Sequence, residues 1–309
     1  MIQILTVIAP LFLIIFASAL LQKWKNIGND WQKVLNEFAL NIGLPALIFS
    51  ALAKTSFSLQ TEAPLIITTS IYILLSFAAA VTIGKIFHFS KPIFLTVFLC
   101  FVFDNFAYLG IPVLTRLFSA SILPTASIIV AIYLFWIFTV GTGYLEFAQN
   151  RSRQKMFANI IKNLITNPLL IAVMLGLIVG NFRIVVPSVI LQSIDMLSAS
   201  VTPTVLIVIG LFIGTSTIGK LSEWTGVFLF SLATLVILPA CFYFGVTFFG
   251  FNPSHFSSSI IEAAMPLGTT PFALADRFGL DKKFIARSIV LSTIFSVLSL
   301  PFWIWILSL

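Results

Sequence analysis

The sequence predicts an all-α polytopic membrane protein: ten transmembrane helices arranged as two inverted five-helix repeats, with helices four and nine broken where they cross. Three observations carry that reading. First, the 309 residues are 59% hydrophobic and 9% charged, with a mean hydropathy of +1.11. Roughly a quarter of a soluble domain is Asp, Glu, Lys and Arg, so this chain has too little charge to cover a surface facing water. Second, its apolar residues gather into ten runs close to the ~20 residues that cross a bilayer core. These lie at about 2–22, 32–53, 64–87, 92–118, 121–147, 164–182, 186–214, 224–249, 255–279 and 284–307. Third, the fourth and ninth runs each hold a combination that a lipid-embedded helix cannot absorb cheaply. FVFDNFAYLGIPVLTRLF (101–118) places Asp104, Asn105, Gly110 and Pro112 mid-run; IIEAAMPLGTTPFALADRFGL (260–280) does the same with Pro266, Gly268, Thr269, Thr270 and Pro271. Gly and Pro loosen the intrahelical ladder, and the freed backbone groups need partners where there is no bulk water. Such breaks persist where unwound backbone lines a cavity, as in many secondary transporters.

Taken in order, the first span carries no basic residue ahead of its apolar run, so it reads as a retained helix and not a signal peptide. The connections are short, and none has the length or composition of a linker domain. Fourteen of the 17 Lys and Arg lie near loops that follow odd-numbered spans; Lys54, Arg116 and Arg183 lie on the other side. The positive-inside rule puts the fourteen in the cytoplasm and both termini outside, in a multi-pass protein of the cell's inner (plasma) membrane. That placement also accounts for the net charge of +7 without nucleic acid as a partner. Trp24 and Trp31 are expected at the inner interface, and Trp303 and Trp305 near the outer one. The basic stretch Arg151-Ser-Arg153-Gln-Lys155 reads as a topogenic loop, with a lipid-headgroup patch as the alternative. Cys100 and Cys241 fall inside apolar runs and read as small buried residues, with no disulfide or metal spacing. His88 and His255 read as interfacial side chains near span ends.

The basic loop divides the chain into residues 1–150 and 151–309, five spans each. An odd number of spans per half makes any repeat an inverted one. An offset of 158 residues pairs Pro10 with Pro168, Pro45 with Pro203, Gly110 with Gly268, Glu37 with Asp195, and Asp104 with Glu262.

Proline suits the first helical turn, because its missing N–H would be unpaired there. Pro112 and Pro271 are therefore expected to start half-helices, with Thr270 as N-cap of the second. The amides and positive dipole ends of those half-helices would face the mid-membrane gap and favour an anion or a polar carbonyl group. The ends of the preceding halves, near Asn105–Ala107 and Ala264–Met265, would offer carbonyl oxygens to a cation or donor. Two plain proline kinks are the structural alternative. Asn105 supplies both donor and acceptor at the break. Asp104 has three readings: a coupling-proton carrier, part of a Na⁺ site, or half of a structural pair. Glu262 is either a coupling group or a solvated residue near the outer end of span nine. Asp195 is a pathway or coupling candidate, and Glu37 a solvated residue near the cytoplasmic end. Asn41, one turn before Pro45, faces either the site or a packing partner. Arg116 and Arg277 either attract an anion or anchor their helix ends, and anchoring is the preferred reading.

The stretch Asn105-Phe-Ala-Tyr-Leu-Gly110-Ile-Pro112 resembles the span-four signature of the auxin efflux carrier family, and Ala264-Met-Pro266-Leu-Gly268-Thr-Thr-Pro271-Phe-Ala-Leu-Ala resembles its span-nine partner. The resemblance runs the length of the chain, which lacks the long loop of many plant members and looks like a compact bacterial type. It implies a fold like that of NhaA and the bile-acid symporters. Spans 1, 2, 6 and 7 would then form a scaffold, often dimeric, and spans 3–5 and 8–10 an elevator-type transport domain. It departs from the family at Asp104, where the position is more often small or uncharged, which leaves coupling open. The expected function is secondary transport of a small organic anion, a carboxylate such as malate or malonate or an auxin-like acid, driven by protons or membrane potential. A sodium-coupled symporter is the alternative. No Gly-x-x-x-x-Gly-Lys-Ser/Thr motif is present for ATP, and two isolated histidines and dispersed acids do not form the constellation of an intramembrane enzyme. No cofactor is expected.

Overall fold

The computed structural model describes residues 2–25, 29–149, 152–216 and 223–309. Arg151 and Lys220, both counted in the basic loops, lie outside the described residues. Within them the regular structure is helical, with one isolated antiparallel bridge between Asp104 and Leu267. The helices are α1 (Ile2–Lys25), α2 (Asn29–Phe38), α3 (Leu44–Ala53), α4 (Leu59–Ile86), α5 (Lys91–Cys100), α6 (Ile111–Phe118), α7 (Leu123–Trp136), α8 (Thr142–Ala148), α9 (Arg153–Thr166), α10 (Pro168–Asn181), α11 (Ser188–Ala199), α12 (Val201–Thr215), α13 (Trp224–Leu232), α14 (Leu238–Phe248), α15 (Ser257–Ala263), α16 (Thr270–Phe278) and α17 (Lys282–Ile306).

Several of these are pieces of one rod joined by a wide, π-helical turn. Such turns precede α3, α6, α8 and α14, and all but the one before α8 are followed by a proline at the next helix's second position: Pro45, Pro112 and Pro239. A proline in a regular helix leaves a carbonyl unpaired and drives its ring into the preceding turn. Widening that turn by one residue gives the ring room while the rod continues. Among the described residues, seven stretches are long and apolar enough to cross a membrane: Leu5–Lys25, Asp30–Ala53, Leu59–Ile86, Ala120–Ala148, Ser188–Thr215, Trp224–Phe248 and Lys282–Ile306. An eighth is the pair α9 and α10, bent by 56° at Asn167, whose side chain caps α10 by accepting from the Leu169 and Leu170 amides. The fourth and ninth expected runs are made of shorter pieces, α5 with α6 and α15 with α16.

Two helix pairs approach to backbone contact, α1 with α12 and α3 with α10. Glycines four residues apart make each approach. A Cβ on Gly210 would sit 2.3 Å from the Ile15 carbonyl oxygen, and one on Gly214 would sit 2.6 Å from that of Ala19. On α10, a Cβ on Gly180 would lie 2.3 Å from the Thr55 oxygen and 2.4 Å from the Leu52 oxygen. Small residues at this spacing let membrane helices pack without side chains between them. The atoms facing Gly180 are main chain and cannot rotate away. Gly180→Ala should therefore destabilise the protein by about 1–3 kcal/mol, read as a fall in melting temperature in detergent. An unchanged melting point would mean that α3 and α10 do not touch there.

Two expectations about side chains are corrected. Trp303 is 2% exposed, not an interfacial belt residue, because its indole N–H donates to the Leu235 carbonyl at 2.8 Å, within the π-turn of the α13–α14 rod. Trp305 is exposed, as are Trp24 and Trp31. Removing the buried donor with Trp303→Phe should cost about 1–3 kcal/mol, measurable by the same melting assay. Cys100 is buried as expected, whereas Cys241 is exposed on α14. His88 and His255 are exposed near helix ends.

Candidate functional site

The fourth and ninth runs break and touch at their breaks. α5 ends at Cys100, and residues 101–105 are unwound; α15 ends at Ala263, and residues 264–269 are unwound. The two strips run antiparallel past each other, with the Asn105 amide donating to the Pro266 carbonyl (2.7 Å) and the Gly268 amide to the Phe103 carbonyl (2.9 Å). Gly268 suits this approach, since a Cβ there would lie a tight 3.2 Å from the Phe103 oxygen and 3.3 Å from that of Asp104. Unwound backbone in an apolar setting needs partners, and here they are found. The Leu267 amide donates to the Ser292 hydroxyl on α17 (3.1 Å), and the Tyr72 hydroxyl of α4 reaches the Ala263 carbonyl (3.5 Å).

Three local expectations shift. The first break lies ahead of Asn105, so the preceding carbonyl end is at Cys100 and not at Asn105–Ala107. The chain re-enters helix at Phe106 through a π-turn in which the Asn105 carbonyl accepts from both Leu109 and Gly110 amides. Pro112 therefore sits one wide turn inside the half-helix instead of starting it. In the second break the N-cap position belongs to Thr269, with Thr270 first in α16 and Pro271 second. That works because the first amides of a helix are unpaired in any case.

Beside the crossing is a cavity of ≈ 210 Å³, lined by Asn41, Phe103, Asp104, Asn105, Gly268, Thr269 and Thr270 among others. It is smaller than the ~300 Å³ at which drug-sized pockets begin. The half-helices that open at Phe106 and Thr270 line it with their first residues, while the π-turn after α2 contributes Leu40 and Asn41. Asn41 is itself held by its side-chain amide to the Glu37 carbonyl at 2.9 Å. No Lys, Arg or His is among the lining residues, so donors to an anion here are amides and hydroxyls. Gly110, Pro112, Pro266 and Pro271 do not line it; they shape the strips and half-helices that do.

Behind the crossing is a buried polar cluster that reaches the cavity through Asp104. Glu262 is 0% exposed and Asp104 3%, and the two carboxyls are within electrostatic reach of each other and of Tyr133. The Asp104 Oδ2 and both Glu262 carboxyl oxygens have no hydrogen-bond partner among the described residues, while the Tyr133 hydroxyl lies beside the Asp104 carboxyl and interacts with it. Glu262 is thus not a solvated group at a span end. Its carboxyl packs against Gly110, where a Cβ would fall 2.0 Å from Oε2.

The remaining candidates lie elsewhere. Asp195 joins α11 to α3, bonded to the Lys54 ammonium (2.7 Å) and the Ser50 hydroxyl (2.5 Å). Arg277 does more than anchor a helix end, since its guanidinium pairs at 2.8 Å with the buried Glu146 of α8, which also accepts from Asn159 at 2.9 Å. Arg116 and Glu37 are exposed. Sequence reasoning missed Asn167, which lines the cavity from the bend of α9–α10; its Asn-Pro pair was the available signal. It also missed Tyr108, whose hydroxyl donates to Asn36 on α2 at 2.8 Å, and Tyr133, which looks like an ordinary aromatic in an apolar run.

The chain is similar to known membrane transporters. The profile of the membrane transport protein family matches residues 3–304. An uncharacterized transporter of Methanocaldococcus jannaschii is 26% identical over 287 residues, covering 91% of each chain. A protein of Rhizobium meliloti named "Putative malonate transporter" is 22% identical over 306 residues, covering 96% of this chain and 93% of its own.

Proposed function

Because the chain belongs to the membrane transport protein family, that of the auxin efflux carriers, and is a membrane transporter, we propose that it is a secondary carrier of a small organic anion. The single observation that carries this reading is the crossing of two broken helices beside a small cavity whose donors are amides and hydroxyls. Half-helix N-termini and neutral donors suit a carboxylate, and the name of the Rhizobium relative favours a short dicarboxylate such as malonate. Within this reading Asn105, Thr269, Thr270 and Asn41 contact the cargo, while Gly110, Pro112, Pro266, Gly268 and Pro271 shape the breaks.

The two short-piece runs count as spans four and nine, which gives ten spans in halves 1–150 and 151–309 with both termini outside the plasma membrane. The close pairs α1–α12 and α3–α10 support a scaffold of spans 1, 2, 6 and 7, on which the likeness to dimeric relatives suggests a homodimer. Spans 3–5 and 8–10 then move against it as an elevator. Coupling falls to Asp104 and Glu262, because Asp104 lines the cavity. An anion beside an ionised Asp104 would be repelled at close range in a medium of low dielectric, so cargo and a charge-neutralising ion arrive together. We assign that ion as a proton. The unpartnered oxygens of the two carboxyls favour Na⁺ as the second reading, tested by whether uptake requires sodium. Asp195, held by Lys54, serves the scaffold in this reading.

The test is charge displacement on proteoliposomes challenged with monocarboxylates, dicarboxylates and indole acids. One class should give a transient current that Asn105→Ala abolishes. Silence across the panel from folded protein would discard the carboxylate assignment.

A further inference from the structure

We propose that the concave surface beside Lys33, Lys283 and Arg287 is an anion vestibule feeding the crossing site through a gate formed by Phe212 and Phe272. Only the identity of what passes rests on the organic-anion reading above.

Three cavities share walls in series. The outermost, ≈ 680 Å³, lies between Gln32, the end of α12 and the first turns of α17, where Lys282, Lys283 and Arg287 gather. A middle cavity of ≈ 280 Å³ shares Gln32, Phe212 and Phe272 with it and adds Lys33 and Asn36. The middle cavity in turn shares Leu40, Thr269 and Thr270 with the cavity at the crossing. α2 provides the polar wall of this path. Gln32 and Asn36 are one helical turn apart and share a face, and the same face carries Leu40 one turn further on.

The charge along the path is lopsided. Lys282 is paired with Asp276 and Arg287 with Glu223, whereas Lys33 and Lys283 have no carboxylate partner among the described residues. Both unpaired lysines are exposed. Positive charge in a concavity with low-dielectric walls concentrates anions and raises their arrival rate. The inner limit of the vestibule is aromatic. Phe212 on α12 and Phe272 on α16 meet edge to face, centroids 5.0 Å apart at 83°, and the Lys282 ammonium lies 4.9 Å over the Phe272 ring. Both rings line the outer and the middle cavity, with Gln32 as the third shared residue, so the aromatic pair forms most of the wall that separates them. One ring belongs to the helix packed on α1 and the other to the half-helix that forms the site, so relative motion of those two bodies opens or closes the passage.

The test uses thiol labelling and needs no transported cargo. In a Cys241→Ser background in lipid nanodiscs, Ala273→Cys places a thiol in the middle cavity. A sulfonate-bearing methanethiosulfonate should modify it on the order of tenfold faster, relative to the trimethylammonium reagent, than the same two reagents modify a free thiol in solution. Adding Lys33→Gln and Lys283→Gln, or raising the salt to shorten the Debye length, should erase that preference. Phe212→Ala should speed labelling at Thr270→Cys, beyond the gate. Gln32→Cys repeats the measurement if Ala273→Cys does not fold. Equal rates for the two reagents, a preference for the cation, or a preference indifferent to the lysines would overturn the vestibule. A silent transport panel with the anion preference intact would remove only the cargo assignment, and a responsive panel without the preference would remove only the vestibule.

Discussion

Gly110→Ala is expected to abolish transport and lower stability, although every local preference favours the alanine. Gly110 has an ordinary right-handed helical conformation, φ −60° and ψ −53°, and helix propensity alone would make alanine about 1 kcal/mol better there. The contact decides otherwise. The added carbon would lie 2.0 Å from Glu262 Oε2 and 2.6 Å from both Cδ and Oε1. A carboxyl end is normally free to swing aside, but this one is fully enclosed. Moving it displaces packed neighbours at about 1–3 kcal/mol, which outweighs the propensity gain. A thermal melt of Gly110→Ala, Glu262→Ala and the double variant measures the coupling directly. The double variant should be more stable than the two single losses imply, because Glu262→Ala vacates the space the methyl group needs. Additive losses, or a Gly110→Ala melt at or above the parent's, would show that the two residues do not press on each other.

Asp104→Asn should uncouple the carrier from the pH gradient while leaving the membrane potential able to drive it. The amide keeps the size of the carboxyl and part of its hydrogen-bonding capacity but binds and releases no proton. A carboxyl at this depth, with Oδ2 unpartnered and no ion-pair partner among the described residues, is the kind of intramembrane acid that relays protons. In proteoliposomes the parent's current should change when a pH gradient is imposed at fixed potential, and that of Asp104→Asn should not. Glu262→Gln should behave alike if the pair shares one proton. A variant whose pH response matched the parent's would place coupling elsewhere.

Much of the site could be read from the chain because the residues that break a membrane helix are few and conspicuous. Pro266, Gly268 and the Asn105 region marked both interruptions, and the structure does interrupt there. Register was harder. Pro112 looks like a helix start, yet a π-turn absorbs it, and composition carries no sign of whether a turn widens or a helix stops. Glu262 looked like a residue near water because it lies close to a run's end; its burial depends on Gly110 of another helix, a contact between residues far apart in sequence. Arg277 was legible as a cation near a helix end, but its partner Glu146 comes from the other half of the chain. Asp195 showed the same limit, since only the fold brings Lys54 to it.

The two bonds that hold the strips together at the crossing run between main-chain groups, Asn105 to Pro266 and Gly268 to Phe103. Apart from the absence of a side chain at Gly268, the side chains that support that joint are the Ser292 and Tyr72 hydroxyls, which lie outside the cavity wall. Side chains around the cavity are therefore free to be exchanged without loosening it. Retuning such a protein to a different solute is a matter of replacing wall residues such as Asn41, Thr269 or Asn167 while the mechanical joint stays as it is. In an engineering setting, this is the part of the molecule to leave alone.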